Sequence, residues 1–327
     1  MRADGLLSRS RLTDNAHAPP TSGRGHGNTM DTIRKLPASD GAEWLLGGFA
    51  LLRQAPLALG TLGALWGLLA SLVMTVGMAV PALATPLQLL VALAGPVLFA
   101  GLLFAVREVA HGRPALPAHL LQGVREGRVG PLLTTLLPQL AAGLLLGVLL
   151  LVLVGTEQLQ ELARVSNELN ALAQSGQQPS PEQVEALVAG LPAGRILLWL
   201  LLGLVALVAV ALTVFVSVPR ILFDRREGLQ AMGDSLRACL HNLPALGVFL
   251  LLTMVAIFAI YFGLLMVTLV LQLLAGPWVA MWVAQLLLMA VLMPLLAGAT
   301  YTAWTRFFGD EAAATPSMSA QPGQFEA

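Results

Sequence analysis

Hydrophobic residues in this chain come in long unbroken runs, not in the short periods of soluble helices and strands. Six runs stand out, Leu57–Val80, Leu87–Val106, Leu132–Val154, Ile196–Val218, Leu246–Leu274 and Val279–Ala303, and none contains Asp, Glu, Lys, Arg or His. A bilayer core about 30 Å thick is crossed by about 20 apolar helical residues, so each run predicts a transmembrane helix. Strands of a membrane barrel would run about 9–11 residues and alternate apolar with polar, a pattern absent here. The expected fold is all-α, a polytopic bundle of six transmembrane helices.

Before each odd-numbered span the pattern changes to apolar residues three and four apart, which marks one face of a helix. The three stretches run from Trp44 to Arg53, from Leu120 to Arg128 and from Leu229 to His241. Arg53, Arg128 and His241 each stand three residues before a proline, namely Pro56, Pro131 and Pro244. A proline there stops one helix and suits the first turn of the next. The repeating unit is thus an amphipathic helix followed by a transmembrane hairpin, used three times. Such helices are expected in the headgroup plane, cations toward lipid phosphates. The candidate headgroup contacts are Arg53, Arg125, Arg128, Arg237 and His241. An alternative is that these cations form ordinary surface ion pairs with Glu43, Glu126 or Asp234. Asp40 and Glu43 form a capping-box-like pair at the first helix, with Ser39 as an alternative cap.

The membrane domain is expected over residues 30–310, interrupted by an outer loop insertion at 155–194. Thr156 caps a predicted helix reaching about Gln174, with Leu159, Leu162, Val165, Leu169 and Leu172 along one stripe. Ser180-Pro181-Glu182-Gln183 restarts a second helix, giving a small helical hairpin outside the membrane that is expected to pack on itself over the bundle, with a partner-binding cap as the alternative. Residues 1–29 are polar and lack the apolar core of a secretory signal. They are expected to be disordered, as is 311–327, and Met30 is an alternative start.

Composition agrees with the runs: 57% of residues are hydrophobic and 11% charged, and the mean hydropathy is +0.78. Soluble domains hold about 25% charged residues. Lys and Arg (18) balance Asp and Glu (18), so nothing points to nucleic acid. The distribution of the cations is informative. Sixteen of them fall before the first span, after the last, or in the loops after spans two and four, and only Arg164 and Arg195 fall on the other side. The positive-inside rule then places both termini in the cytoplasm. Trp199, Trp278 and Trp282 are expected at outer span ends, and Tyr301 with Trp304 at an inner one.

Candidate chemistry is sparse. The single cysteine, Cys239, excludes a disulfide framework. The five histidines form no metal-binding spacing, and neither a G-x-S-x-G nucleophile motif nor a P-loop occurs. No enzyme activity and no cofactor are expected. Gln139, Gln272 and Gln285 form a candidate intramembrane polar cluster, and Pro96, Pro138 and Pro294 lie inside spans. Prolines and glutamines in spans either line a cavity or tie helices together by hydrogen bonds. Gly63-x3-Gly67 and Gly143-x3-Gly147 match a small-residue packing motif without specifying a dimer.

Arg34-x2-Pro37-Ala38-x2-Gly41-x2-Trp44, followed by Gly48-Phe49-x-Leu51 and Pro56-Leu57, resembles the opening of an uncharacterised family of bacterial multi-span inner-membrane proteins. Pro219-x4-Asp224 and Ser235-x6-Asn242-x-Pro244 look like a juxtamembrane motif shared by such families. The likeness covers about Arg34 to Asp310, and the insertion at 155–194 departs from it. It implies a bacterial inner-membrane location and carries over no catalytic residue. Two functional classes follow. One is a non-enzymatic envelope protein that organises lipid, anionic by its charge pattern, or partner proteins. The other is a carrier or channel for a small neutral or amphipathic solute. A water-accessible cavity at Gln139, Gln272 and Gln285 would favour the carrier; a dry interior would favour the organiser.

Overall fold

A computed structural model describes residues 33–174, 180, 190 and 192–309. The expected restart at Ser180-Pro181-Glu182-Gln183, the alternative start at Met30 and both terminal segments lie wholly or largely outside the described residues. Among the described residues the fold is all-α with six long apolar helices, the mark of an integral membrane protein.

Helix α1 covers Asp40–Gln54, α2 Pro56–Ala79 and α3 Pro81–Ala110. A 3-10 turn at Pro117–Leu121, α4 at Gln122–Arg125 and α5 at Val129–Leu133 lead into α6, Leu137–Leu153. Helix α7 spans Thr156–Gln174, α8 Ala193–Val214, α9 Ser217–Leu222 and α10 Gly228–His241. The long α11, Leu243–Ala275, and α12, Pro277–Phe308, complete the fold. Gly276, at φ +83°, supplies the tight turn between them. Consecutive spans pack as pairs, α2 on α3, α6 on α8 and α11 on α12.

The core sits where α1 enters. Trp44 is fully buried within a cluster of Phe215, Phe249 and Phe307, its ring centroids 5.0–6.1 Å from theirs. Helix α1 therefore packs by one face between α11 and α12. Missing side chains allow it. Gly48 and Gly298 oppose each other, with a Cβ at Gly298 falling 2.8 Å from Gly48 Cα. A Cβ at Gly41 would overlap the carbonyl oxygen of Ala245. The Gly63-x3-Gly67 motif lies against Met289 of α12, an internal contact, whereas Gly143-x3-Gly147 on α6 meets nothing.

Three local expectations change. The second amphipathic stretch is a 3-10 turn plus a single α-turn, with the Leu120 backbone set close against Gly101 of α3. Pro138 sits in the first turn of α6 after a 3-10 break at Thr134–Leu136, so it starts a helix instead of kinking one. Pro96 and Pro294 do lie inside continuous helices. Ser39 makes no side-chain cap, and Asp40 and Glu43 turn instead to Arg306 of α12.

Candidate functional site

The end of the bundle that holds Ile33 and Gly309, termed here the terminal face, gathers most of the chain's engaged charge. Its centre is the break between α8 and α9. Helix ends leave N–H and C=O groups unpaired, and one side chain serves both sides of this break. Ser235 Oγ of α10 accepts from Val216 N–H at 3.1 Å and donates to Leu212 O at 2.8 Å.

Helix α9 is buried along its whole length, including Arg220 at 2% exposure. A buried guanidinium requires partners on every side. Its two terminal nitrogens reach Asp224 Oδ2 and Asp234 Oδ2, both at 2.8 Å, and its plane lies 4.1 Å from the Phe308 ring centroid. Trp304 Nε1–H donates to the same Asp224 oxygen at 3.0 Å. Alongside, Arg107 of α3 stands 4.7 Å from the ring centre of Phe223, which packs on Trp304 and Tyr301. Tyr301 and Trp304 are thus buried core residues, a correction to their expected place in a lipid-facing aromatic belt.

Asn242 closes the knot from the other side. Its Oδ1 accepts from Leu36 N–H at 2.7 Å, and its Nδ2 donates to Arg34 O and Ala238 O. Arg34 N–H in turn meets Phe307 O at 3.2 Å. Asp224, Ser235 and Asn242 therefore each anchor a separate set of polar contacts at this end of the bundle. Their energetic role is to satisfy polar groups at helix breaks and to join α9, α10, α12 and the segment before α1. Nearby, Cys239 is fully buried, and desolvation pushes its thiol up to about 12, against a smaller opposing hydrogen bond from Ser235. A thiol so placed is not a nucleophile.

The headgroup candidates fall into two kinds. Arg128 Nη2 donates to Ile221 O at 3.1 Å and Arg226 O at 2.9 Å, so its guanidinium braces the loop after α9. Arg53, Arg125, Arg237 and His241 are exposed. Among the described residues, Arg53, Arg125 and Arg237 form no ion pair with an acid. The acids considered as their partners are engaged elsewhere. Glu43 is taken by Arg306, Asp234 by Arg220, and Glu126 accepts from Gln122. His241 Nδ1 lies 2.8 Å from Arg237 O.

Of the intramembrane glutamines, two come together and one does not. Gln285 stands between two cavities on either side of α12. One, of about 340 Å³, lies toward α2 and is lined by Ser71, Met74, Trp278 and Trp282. The other, of about 390 Å³, lies toward α11 and includes Gln272, Tyr261 and Thr268. Gln139 is exposed on α6, a span remote from both. Among the described residues no three His, Cys, Asp or Glu side chains form a metal-ligating group.

Sequence reading gave no role to Arg220 or Arg107 and did not foresee the partner of Trp304. The signal for the first was present: Arg220 and Asp224 are four apart, the spacing of a helical ion pair, beside a span end. For Arg107 and Trp304 no local signal exists, since their partners lie on other helices. The chain matches no family model, no curated protein and no solved structure in these comparisons.

Proposed function

We propose that this integral membrane protein is a non-enzymatic organiser of anionic lipid, gripping phosphate headgroups through the terminal face. The observation that carries this reading is the division among the cations. Arg107, Arg113, Arg128, Arg220 and Arg306 are engaged within the protein. Arg53, Arg125 and Arg237 are exposed, and the acids that could have neutralised them have other partners. In this reading the terminal face is cytoplasmic, in a bacterial inner membrane, as the 16 to 2 division of cations and the resemblance of the opening motif support. The outer loop insertion is the place for a protein partner.

A cation beside an anionic leaflet gains about 1 kcal/mol, screened beyond a Debye length of about 8–10 Å. The triple variant Arg53→Gln/Arg125→Gln/Arg237→Gln should therefore lose about 3 kcal/mol of stabilisation by anionic over neutral bilayers. Equal lipid dependence in wild type and variant would refute the headgroup role.

One observation favours the carrier reading, the position of Gln285 between two cavities. Gln285→Cys tests it, because the native Cys239 is buried and unreactive. Labelling of that new thiol by a membrane-impermeant maleimide would favour a solute path; protection would favour a lipid-filled interior.

A further inference from the structure

Where α6, α8 and α10 meet, the protein leaves an open apolar slot of about 340 Å³, walled by Pro138 of α6, Thr213 of α8 and Leu229, Met232 and Leu236 of α10. Gly233 forms the middle of the α10 wall. Glycine inside a helix is less favourable than alanine, so its presence asks for a reason. Of the glycines in α1 and α10, Gly41, Gly47, Gly48 and Gly228 each lie against a neighbouring residue that a side chain would strike. Gly233 does not; a Cβ there would meet nothing within 4 Å. Its missing side chain keeps open a space that the protein itself does not fill.

Beyond the slot, the same helix ridge turns polar. Leu229, Gly233, Arg237 and His241 follow one another at intervals of four along α10, hence on one helical ridge that runs from apolar to cationic. Arg237 and His241 are exposed, and the acid nearest Arg237 in sequence, Asp234, is committed to Arg220. The slot borders the first turn of α6 and the last turns of α8, next to the 3-10 break at Thr134–Leu136 and the break between α8 and α9.

We infer that this ridge is the seat of one anionic phospholipid, with an acyl chain laid in the slot over Gly233 and the phosphate held by Arg237 beside His241. The inference rests on the headgroup reading above and narrows it to a single site. Charge decides the occupant. A second copy related by two-fold symmetry would bring two cationic ridges together, whereas a phosphate neutralises one.

The test measures retained lipid on delipidated protein by native mass spectrometry, with phosphatidylglycerol and phosphatidylcholine as probes. The wild type should hold one phosphatidylglycerol in preference to phosphatidylcholine. Gly233→Leu, whose Cβ would meet nothing within 4 Å and whose longer side chain enters the slot, should weaken that retention at least tenfold while the protein keeps its unfolding midpoint. Gly233→Ala should stay within about twofold of wild type, its methyl occupying little of the slot. Arg237→Gln should cut the preference for phosphatidylglycerol severalfold and leave phosphatidylcholine binding unchanged. If Gly233→Leu retains phosphatidylglycerol as the wild type does, the seat is wrong and the broader headgroup reading stands. If the wild type itself shows no preference, that reading falls first. A dimer that Gly233→Leu dissolves, with lipid retention unchanged, would assign the slot to a second copy and overturn the proposal.

Discussion

The two ends of α12 are built from similar apolar residues and live in different surroundings. From Pro294 to Phe307 the helix is largely buried, facing α1 and the buried ion pairs of the terminal face. From Pro277 to Leu292 it borders cavities on both flanks, with Trp278 at 67% and Met281 at 54% exposure. The α6–α8 hairpin extends the contrast, since neither helix has a buried residue and each packs mainly on the other. Their link includes Trp199 Nε1–H, which donates to Leu146 O. Lipid tails are as apolar as leucine, so greasy surface alone gives no drive for helices to associate in a bilayer. Close packing at glycine and satisfaction of buried polar groups do. The terminal half of the bundle has both, the far half of α12 keeps the close approach of Gly63 and Gly67 of α2 to Met289, and the hairpin has little of either.

The sharpest way to break this contrast is to empty the centre of the knot. Arg220→Ala leaves Asp224 and Asp234 without their shared cation, and loss of one partner from a buried pair costs about 3–5 kcal/mol. Detergent-solubilised protein should show that loss in unfolding followed by tryptophan fluorescence. Asp224→Asn should lose less, because its amide oxygen still accepts from Trp304 Nε1–H. A loss of under about 1 kcal/mol for Arg220→Ala is the value of an exposed pair, and would mean the network is solvated surface.

A finer test uses matched glycines. A Cβ at Gly63 would overlap the carbonyl oxygen of Met289, whereas at Gly143 it meets open space. Gly63→Ala is expected to destabilise by about 1–3 kcal/mol, the usual cost of overpacking. Gly143→Ala is expected to be neutral or to stabilise by up to about 1 kcal/mol through helix propensity. Equal effects at the two sites would remove the distinction between the packed α2–α12 seam and the open α6–α8 hairpin.

The smallest effect expected is at Cys239. At pH 8 the folded protein should resist maleimide, and the thiol should react once the chain is unfolded. Burial raises its pKa to about 12 from an ordinary value of 9.0, so the folded state holds a proton that the unfolded chain releases. The sign follows: this contribution is intact below about pH 9 and is lost as pH climbs toward 12. The slope cannot exceed about 1.4 kcal/mol per pH unit for one group. Rapid labelling of folded protein would place α10 away from the core.

Much of the fold was legible along the chain because the bilayer imposes a local rule. A helix must bury its own backbone polar groups in hydrocarbon, so twenty apolar residues in sequence declare a span without reference to any neighbour. The observed spans, from Pro56–Ala79 to Pro277–Phe308, follow the predicted runs closely, and α7 occupies Thr156–Gln174 as its cap and stripe indicated. What depended on tertiary structure was partner choice. Nothing local says that Arg128 reaches the carbonyl oxygens of Ile221 and Arg226 while Arg53, Arg125 and Arg237 stay exposed. Likewise Tyr301 and Trp304 read as interfacial anchors until α9 and Phe223 are packed against them. Asp224, Ser235 and Asn242 are visible in sequence as polar residues beside span ends, without their contacts. Their meaning depended on Leu212, Val216, Leu36 and Arg34 arriving beside those side chains, and such long-range pairing is decided by how whole helices pack, not by the residues next in line.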